Sequence, residues 1–368
     1  MKKRIAVLGA TGSIGKSSLD IISRESEFFE VVLITAHSKK DELEQLKNKW
    51  PSAVCVLSGE EGGKKKLIEA IKNVQPDITI NGISGATGLE PSLAAIEAGS
   101  NLALANKETI VMAGQLVLRL ANEKNVKIIP VDSEHSAVFK LIEAHSSQKI
   151  SEIILTASGG PFRKLSLKEM KNVTAQDALA HPTWKMGSKI TIDSASMANK
   201  GLEIIEACVL FNMPAEKIKV AVHPQSVIHS MIRLSNGVIY AQLSKPDMRH
   251  PIHDALHWPD TTPFDIDTLN FDSLTLEFEK PDKEKFSMLS LAREAVKKGG
   301  LYACAYNAAN EEAVTAFVNK KIGFLDIPKI TGIVLEKDWA LNYSDKETVL
   351  KADADARLEA VKTINKMS

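Results

Sequence analysis

Cysteine is scarce in this chain of 368 residues: only Cys55, Cys208 and Cys304 occur. Odd in number and lacking any C-x-x-C pair, they exclude a disulfide framework, argue against a structural zinc and suit a reducing cytoplasm. Net charge is missing too, because 46 Lys+Arg balance 46 Asp+Glu. No global field draws the protein to nucleic acid or acidic lipid, so any anion it binds must be held by a local cluster. No window approaches the roughly 18 consecutive apolar residues of a membrane span. The apolar stretch after Lys2-Lys3-Arg4 is far too short for a signal sequence, and a soluble, cytoplasmic protein is expected. There are no repeats, no low-complexity tracts, no G-x-S-x-G elbow and no supported Cys–His pair, so nucleophilic catalysis finds no foothold.

What is present is ordinary globular composition, 44% hydrophobic and 25% charged, with length for two or three domains. To about residue 130, short apolar runs alternate with amphipathic stretches: Ile5–Leu8, Val31–Thr35, Ala53–Leu57, Ile78–Asn81, Leu102–Ala105 and Ile128–Pro130. This rhythm predicts an α/β fold with a Rossmann-type, doubly wound parallel sheet. From about residue 150 the texture changes to a central α+β domain. Ile153–Thr156, Ile190–Ile192 and Lys219–Val222 read as strands, and Asn236-Gly237 reads as the type I′ turn of a hairpin between Val227–Leu234 and Val238–Leu243. Residues 259–286 are rich in Pro and Asp and read as a linker. The helical period then predicts helices at 287–298, 306–319, 326–341 and 346–364, a C-terminal helical bundle. The resulting division is 1–132, 133–258, 259–286 and 287–368.

Gly9-Ala-Thr-Gly12-Ser-Ile-Gly15 follows a predicted strand and opens a predicted helix. Glycines there let backbone N–H groups approach a pyrophosphate at the positive end of the helix, although glycine loops also serve as plain turns. NAD-selective sites place an acid about 20 residues further on. Here that position reads His37-Ser38-Lys39-Lys40, whose polar donors and cations favour NADP; a solvated charged turn would look the same.

Asp132-Ser133-Glu134 and the run from Asp193 to Glu203 concentrate the other chemistry. Two carboxylates two residues apart share a side if the backbone is extended, as Ile128–Val131 suggests. Hard oxygen donors with open positions suit Mg²⁺ or Mn²⁺. Glu203 lies early in a predicted helix, where a carboxylate complementing the helix dipole is the bland alternative. Ser194, Asn199 and Lys200 offer phosphate-sized donors, and Ser158-Gly159-Gly160-Pro161 is a second candidate phosphate loop. Ala180–Gly187 lacks a regular period and carries Trp184, as a lid or any aromatic-anchored loop would. His250, His253 and His257 fall at i, i+3 and i+7, but no acid or cysteine completes a ligand set at helical spacing, so they read as partly buried histidines.

These stretches, with Ala105-Asn-Lys-Glu108, His181-Pro-Thr-Trp-Lys-Met-Gly187 and Pro246-Asp-Met-Arg249, run in order along nearly the whole chain. Together they closely resemble the 1-deoxy-D-xylulose 5-phosphate reductoisomerase family. The resemblance implies a homodimer with an NADPH domain, a central catalytic domain and a helical bundle. It implies Thr11, Gly12, Ser13 and Ile14 at the pyrophosphate, and Asn106, Glu108 and Gly187 as further NADPH contacts. Asp132, Glu134 and Glu203 match the metal ligands; Lys107 and Ser133 match residues beside the reacting carbons. Ser158, His181, Ser194, Asn199 and Lys200 match the phosphate side of the sugar-phosphate pocket, and Trp184 and Met186 lie in the family's flexible flap. His37-Ser38-Lys39 departs from the Gly-Lys-Asn or similar trio that many members carry, which leaves the 2′-phosphate contacts open.

The implied chemistry is a metal-assisted retro-aldol cleavage and re-addition giving a branched aldehyde phosphate, then hydride delivery from NADPH. Lys107 and Glu134 are the candidates for proton handling. The nearest rival is an NADP dehydrogenase of the semialdehyde class, which needs an activated cysteine. A non-catalytic nucleotide sensor would have no use for the three carboxylates.

Overall fold

The alternation of apolar runs and amphipathic stretches in the N-terminal third resolves into one parallel sheet. The computed structural model describes residues 1–145, 149–180, 183, 184 and 186–367. Its first unit comprises residues 1–109, 117–136 and 247–266. Strands β1 (Lys3–Leu8), β2 (Phe29–Ala36), β3 (Val54–Leu57), β4 (Ile78–Asn81), β5 (Asn101–Leu104) and β6 (Ile128–Pro130) lie in the order β3-β2-β1-β4-β5-β6. Helices α1 (Ser13–Arg24), α2 (Lys40–Lys49), α3 (Gly63–Val74), α4 (Leu89–Glu97) and α5 (Lys107–Glu123) connect successive strands.

This is the expected doubly wound sheet. The order reverses between β1 and β4, the switch point beyond whose carboxyl ends such sheets bind ligands. Ile5, Val7, Leu8, Leu33, Ile34 and Ile80 are fully buried. Each contributes about 1.5–3 kcal/mol by leaving water, and their continuous apolar runs are what a sheet covered on both faces requires.

The expected extended backbone through Asp132 does not occur. Strand β6 stops at Pro130, and α6 (Ser133–Ala144) begins immediately, with Glu134 in its first turn and the Ser136 N–H donating to the Asp132 carbonyl at 2.8 Å. A proline-ended strand of three residues cannot carry the two-residue periodicity further.

The second unit comprises residues 110–116, 137–246 and the chain from Asp267 onward. Its sheet contains β7 (Ile150–Ala157), β8 (Ile218–Val222), β9 (Ile228–Leu234) and β10 (Ile239–Leu243), in the order β10-β9-β7-β8. Between β7 and β8 come α7 (Leu167–Met170), α8 (Ala175–Leu179), α9 (Ser188–Ala195) and α10 (Ala198–Leu210). Ile190–Ile192, expected to be a strand, lies inside α9; the three β-branched residues gave the wrong local signal, and burial of Thr191 and Ile192 on one helical face overrides it.

The hairpin between β9 and β10 exists, but its turn differs from expectation. Of Asn236 and Gly237 only the glycine takes a positive φ, +88°. The Gly237 N–H donates to the Leu234 carbonyl at 2.9 Å and the Leu234 N–H to the Val238 carbonyl at 2.8 Å. That is a three-residue loop closed by a left-handed glycine, the other common hairpin connection.

After β10 the chain contributes α11 (Arg249–His257) to the first unit, where it packs on α1 and accepts a hydrogen bond from Lys3 Nζ at the Leu256 carbonyl, 3.0 Å. Residues 259–286 form no helix; Glu279 makes a single bridge with Val222. The four expected C-terminal helices follow: α12 (Met288–Lys298), α13 (Tyr302–Val318), α14 (Asp326–Leu335) and α15 (Lys346–Met367). No helix among the described residues is long and apolar enough to cross a membrane.

Candidate active site

Glycine 15 explains the spacing of the first loop. A Cβ there would stand 2.4 Å from Ala10 Cα and 2.5 Å from the Gly9 carbonyl oxygen, so only glycine lets α1 start this close to β1. The N-cap of α1 is Gly12, with no side-chain cap and no acid in the first turn. Gly12 and Ser13 are exposed, Ile14 is half-buried and Thr11 is 9% exposed. The first N–H groups of a 12-residue helix therefore face outward at the switch point, the arrangement that receives a pyrophosphate.

His37, Ser38 and Lys39 follow β2 and are exposed. His37 Nδ1 lies 3.3 Å from Ser58 Oγ. Lys39 Nζ sits 2.7 Å from Glu42, which also takes Lys16 at 2.9 Å; hydrogen bonds from the two lysines hold the Glu42 carboxyl below its ordinary pKa. Lys39, one of the cations expected at a 2′-phosphate, is thus gathered with Lys16 by one acid, a feature the sequence reading did not identify.

At the start of α5, Asn106 accepts from the Thr109 N–H at 3.1 Å and caps the helix. Its amide donates to the Ile83 and Gly85 carbonyls at 2.8 and 2.9 Å and to Glu108 at 3.1 Å. Asn106 thereby fixes the loop after β4, and Glu108 is buried beside it.

Lys107 is the next residue. Only 4% exposed, its Nζ donates to Asp132 Oδ2 at 2.6 Å, while the ring of fully buried His135 meets Asp132 Oδ1 at 3.1 Å. Asp132 thus presents both oxygens to polar partners at the end of β6. Ser133 Oγ donates to Glu134 at 2.6 Å. His135 was quoted in the motif but given no role; its proximity to Asp132 follows from the turn into α6, which the extended reading missed.

The second unit holds a matching pair. Glu203 is fully buried in α10, one oxygen accepting from Asn199 and the other from Lys200, which is itself 3% exposed. Positions i−4 and i−3 on one helix make this local. A carboxylate removed from water is tolerated only with such partners. Gly201 opens the space for this helix: a Cβ there would stand 2.3 Å from the hydroxyl of buried Tyr306 on α13. Met197, joining α9 to α10, takes a left-handed φ of +61° while 3% exposed, a conformation costing on the order of 1 kcal/mol. Asp193, from the same run, accepts from Lys189 at 2.9 Å and Asn310 at 2.8 Å and ties α9 to α13.

The Ser158 loop lies against this region of the second unit. Gly160, at φ +66°, approaches so closely that a Cβ would meet the Ser194 carbonyl oxygen at 2.7 Å, and its N–H donates to Ser158 Oγ at 3.3 Å. A recess of about 300 Å³ there is lined by Ser158, Gly160, Pro161, Arg163 and Lys164 among others. His181 lies outside the described residues. Trp184 approaches His229 at 6.2 Å between ring centroids, and Met186 and Gly187 precede α9.

The donors fit the groups they were expected to hold. Asp132 and Glu134 in the first unit and Glu203 in the second are each the kind of hard oxygen donor a small divalent cation takes, and Asp132 and Glu203 each already pair with a lysine. No thiol competes: burial pushes Cys208 up to about 12 and raises Cys304 and Cys55 as well, which removes the activated cysteine a semialdehyde dehydrogenase needs.

Family models described as 1-deoxy-D-xylulose 5-phosphate reductoisomerase match residues 5–62 and 60–114, and models of its C-terminal domains match 128–211 and 243–359. The reductoisomerase of Treponema denticola is 47% identical over 371 residues, covering 99% of this chain and 97% of the relative. A Zymomonas mobilis reductoisomerase solved with NADPH superposes with a TM-score of 0.92 at 42% identity, covering 99% of both chains. Another, a DOX-P reductoisomerase solved with NADPH, fosmidomycin and magnesium, gives 0.87 at 37% identity over 99% of this chain and 98% of that one. On this evidence the chain belongs to the 1-deoxy-D-xylulose 5-phosphate reductoisomerase family.

Proposed function

We propose that this protein converts 1-deoxy-D-xylulose 5-phosphate to 2-C-methyl-D-erythritol 4-phosphate with NADPH and a divalent cation, Mg²⁺ or Mn²⁺, in the non-mevalonate route to isoprenoids. The observation that carries this reading is the pair of buried lysine–carboxylate contacts, Lys107–Asp132 and Lys200–Glu203, in a chain nearly half identical to a relative of that name over its full length. Taking such groups out of water is costly even when they are paired, which is why clusters of them mark functional sites.

In this reading residues 1–132 bind NADPH, 133–258 carry the metal and substrate, 259–286 link, and 287–368 form the bundle. Thr11, Gly12, Ser13 and Ile14 hold the pyrophosphate; His37, Ser38 and Lys39 face the 2′-phosphate; Asn106, Glu108 and Gly187 complete the cofactor site. Asp132, Glu134 and Glu203 hold the cation. When bound, the ion polarises neighbouring oxygens of the substrate, and the dinucleotide supplies the reducing equivalent. Lys107 and Glu134 move protons, and Ser133 orients Glu134 by its hydrogen bond. Ser158, His181, Ser194, Asn199 and Lys200 grip the phosphate, far from the bonds that change, so that binding energy positions the reacting end. Trp184 and Met186 belong to a flap that excludes water.

We also propose a cytoplasmic homodimer. Strand β10 is an edge of its sheet, with its Ile239 and Tyr240, and Val238 just before it, each more than 40% exposed; an apolar edge strand of this kind is a ready template for pairing with a second copy.

Consumption of NADPH in the presence of the pentulose phosphate, followed by its nicotinamide absorbance, tests the reaction. Oxidation that requires the sugar phosphate and stops on chelation supports the proposal; oxidation indifferent to chelator would sink it.

A further inference from the structure

Outside the proposed active site, the first unit gathers a second set of metal-ligating side chains. His253 and His257 stand four residues apart on one face of α11, and Glu25 follows the last turn of α1, 228 residues from His253. Glu25 uses a different oxygen for each ring: Oε1 is 3.1 Å from His253 Nε2 and Oε2 is 2.7 Å from His257 Nε2. The three ligand atoms all lie within 4.8 Å of one another.

The rings are held from their other faces. Phe264 stacks on His253 at 4.2 Å and 14°, while Phe29 and Phe28 meet His257 edge-on at 5.0 and 5.6 Å. Both histidines are at least 92% buried at the side chain, and the glutamate is 15% exposed. Thr262 Oγ1 lies 3.4 Å from His253 Nε2.

We infer that Glu25, His253 and His257 form a site for a zinc-like transition-metal ion, distinct from the Mg²⁺ or Mn²⁺ of the reaction. Two imidazoles at i and i+4 with a carboxylate from another element make the three-ligand set that leaves a fourth position open. Bonds of about 2.0–2.2 Å place such ligands roughly 3.3 Å apart in a tetrahedron; Glu25 oxygens already stand 3.1 and 2.7 Å from the two rings, with all three ligand atoms within 4.8 Å of one another. Nitrogen donors select against magnesium. The sequence alone argues against a structural zinc and leaves these histidines as partly buried residues; Glu25, from another element, supplies the acid that its pattern lacks. An ion there would tie the end of α1, whose start carries the glycine loop, to α11.

The competing arrangement is a plain hydrogen-bonded clasp in which Glu25 accepts from both rings. Zinc titration of the chelator-stripped full chain in saturating Mg²⁺, with metal analysis after gel filtration, separates the two. One equivalent more zinc is expected on the unaltered protein than on the His253→Asn/His257→Asn variant, with Co²⁺ in its place giving a tetrahedral visible spectrum that the variant lacks. Should that variant fail to fold, Glu25→Gln, which keeps a hydrogen-bonding partner but removes the charge, is expected to weaken zinc binding at least tenfold. His250→Asn, one turn away, is expected to leave the stoichiometry unchanged. Equal zinc content in the protein and in either ligand variant, or loss of the extra equivalent in His250→Asn, would overturn the assignment.

Discussion

The two buried lysine–carboxylate pairs reach the same chemical end by different routes. Lys200 and Glu203 are three residues apart on α10, so the helix itself delivers the pair. Lys107 and Asp132 are 25 residues apart and meet only because β5 and β6 are parallel neighbours whose carboxyl ends open on the same side. A local pair survives as long as its helix survives; a topological pair reports on the whole sheet. Removing one partner of such a pair costs about 3–5 kcal/mol when the other stays charged and buried, so the kinetics of each lysine variant are read beside its thermal midpoint.

The largest effect is expected for Glu203→Gln. With Glu203 a ligand as proposed, losing its charge should lower turnover by at least roughly 10²-fold, about 3 kcal/mol of Lewis-acid stabilisation, while NADPH affinity measured by fluorescence titration stays within about twofold. Equal loss of both would make Glu203 structural and dissolve the comparison. Next come the two lysines. Lys200→Ala should chiefly raise the Michaelis constant for the sugar phosphate, by about tenfold to a hundredfold for a lost charge-assisted hydrogen bond. Lys107→Ala should chiefly lower kcat, by about 10²-fold or more. Identical splits between KM and kcat in the two variants would mean that the pairs do not divide binding from chemistry.

The same contrast explains what could be read from sequence. Strand positions in the first unit were legible because parallel strands covered on both faces must be apolar, and the bundle because its period repeats over many turns. Asn199, Lys200 and Glu203 were legible as neighbours because they share one helix, but not the hydrogen bonds that Asn199 and Lys200 give to Glu203. The geometry around Asp132 was not: Pro130 ends β6, and the turn into α6 brings His135 onto Asp132 where an extended chain would have brought Glu134 alongside. Ile190–Ile192 carried a strand's residues but were claimed by a helix whose face is buried. Glu25 was invisible as a partner for His253 and His257, since nothing in a one-dimensional pattern links the end of α1 to α11. Around Asp132 and Glu25 what failed was a contact between elements; at Ile190–Ile192 it was the identity of the element itself.

A smaller effect is expected at the edge of the second sheet. Tyr240→Lys puts a charge on an exposed strand residue and should shift sedimentation toward monomer with little change in thermal midpoint, because surface substitutions usually cost within about 0.5 kcal/mol. Unaltered sedimentation at every concentration would remove β10 from the interface.

The smallest effect is expected at Glu42, and it has a sign that the pairs in the interior do not share. In the proposed reading a carboxylate there keeps its lysine ready for use, whereas on the surface Glu42, paired with Lys39 and Lys16, competes with an incoming phosphate. Glu42→Gln removes that competition, so NADPH should bind more tightly, by less than about fivefold given the modest strength of exposed ion pairs, with NADH unaffected. Raising the salt should shrink the difference, since exposed charges are screened over about 10 Å at 0.1 M. Weaker NADPH binding in Glu42→Gln would reverse the argument: the acid would then be orienting Lys39 toward the 2′-phosphate, as Asp132 is read to orient Lys107, and the surface cluster would belong with the interior pairs after all.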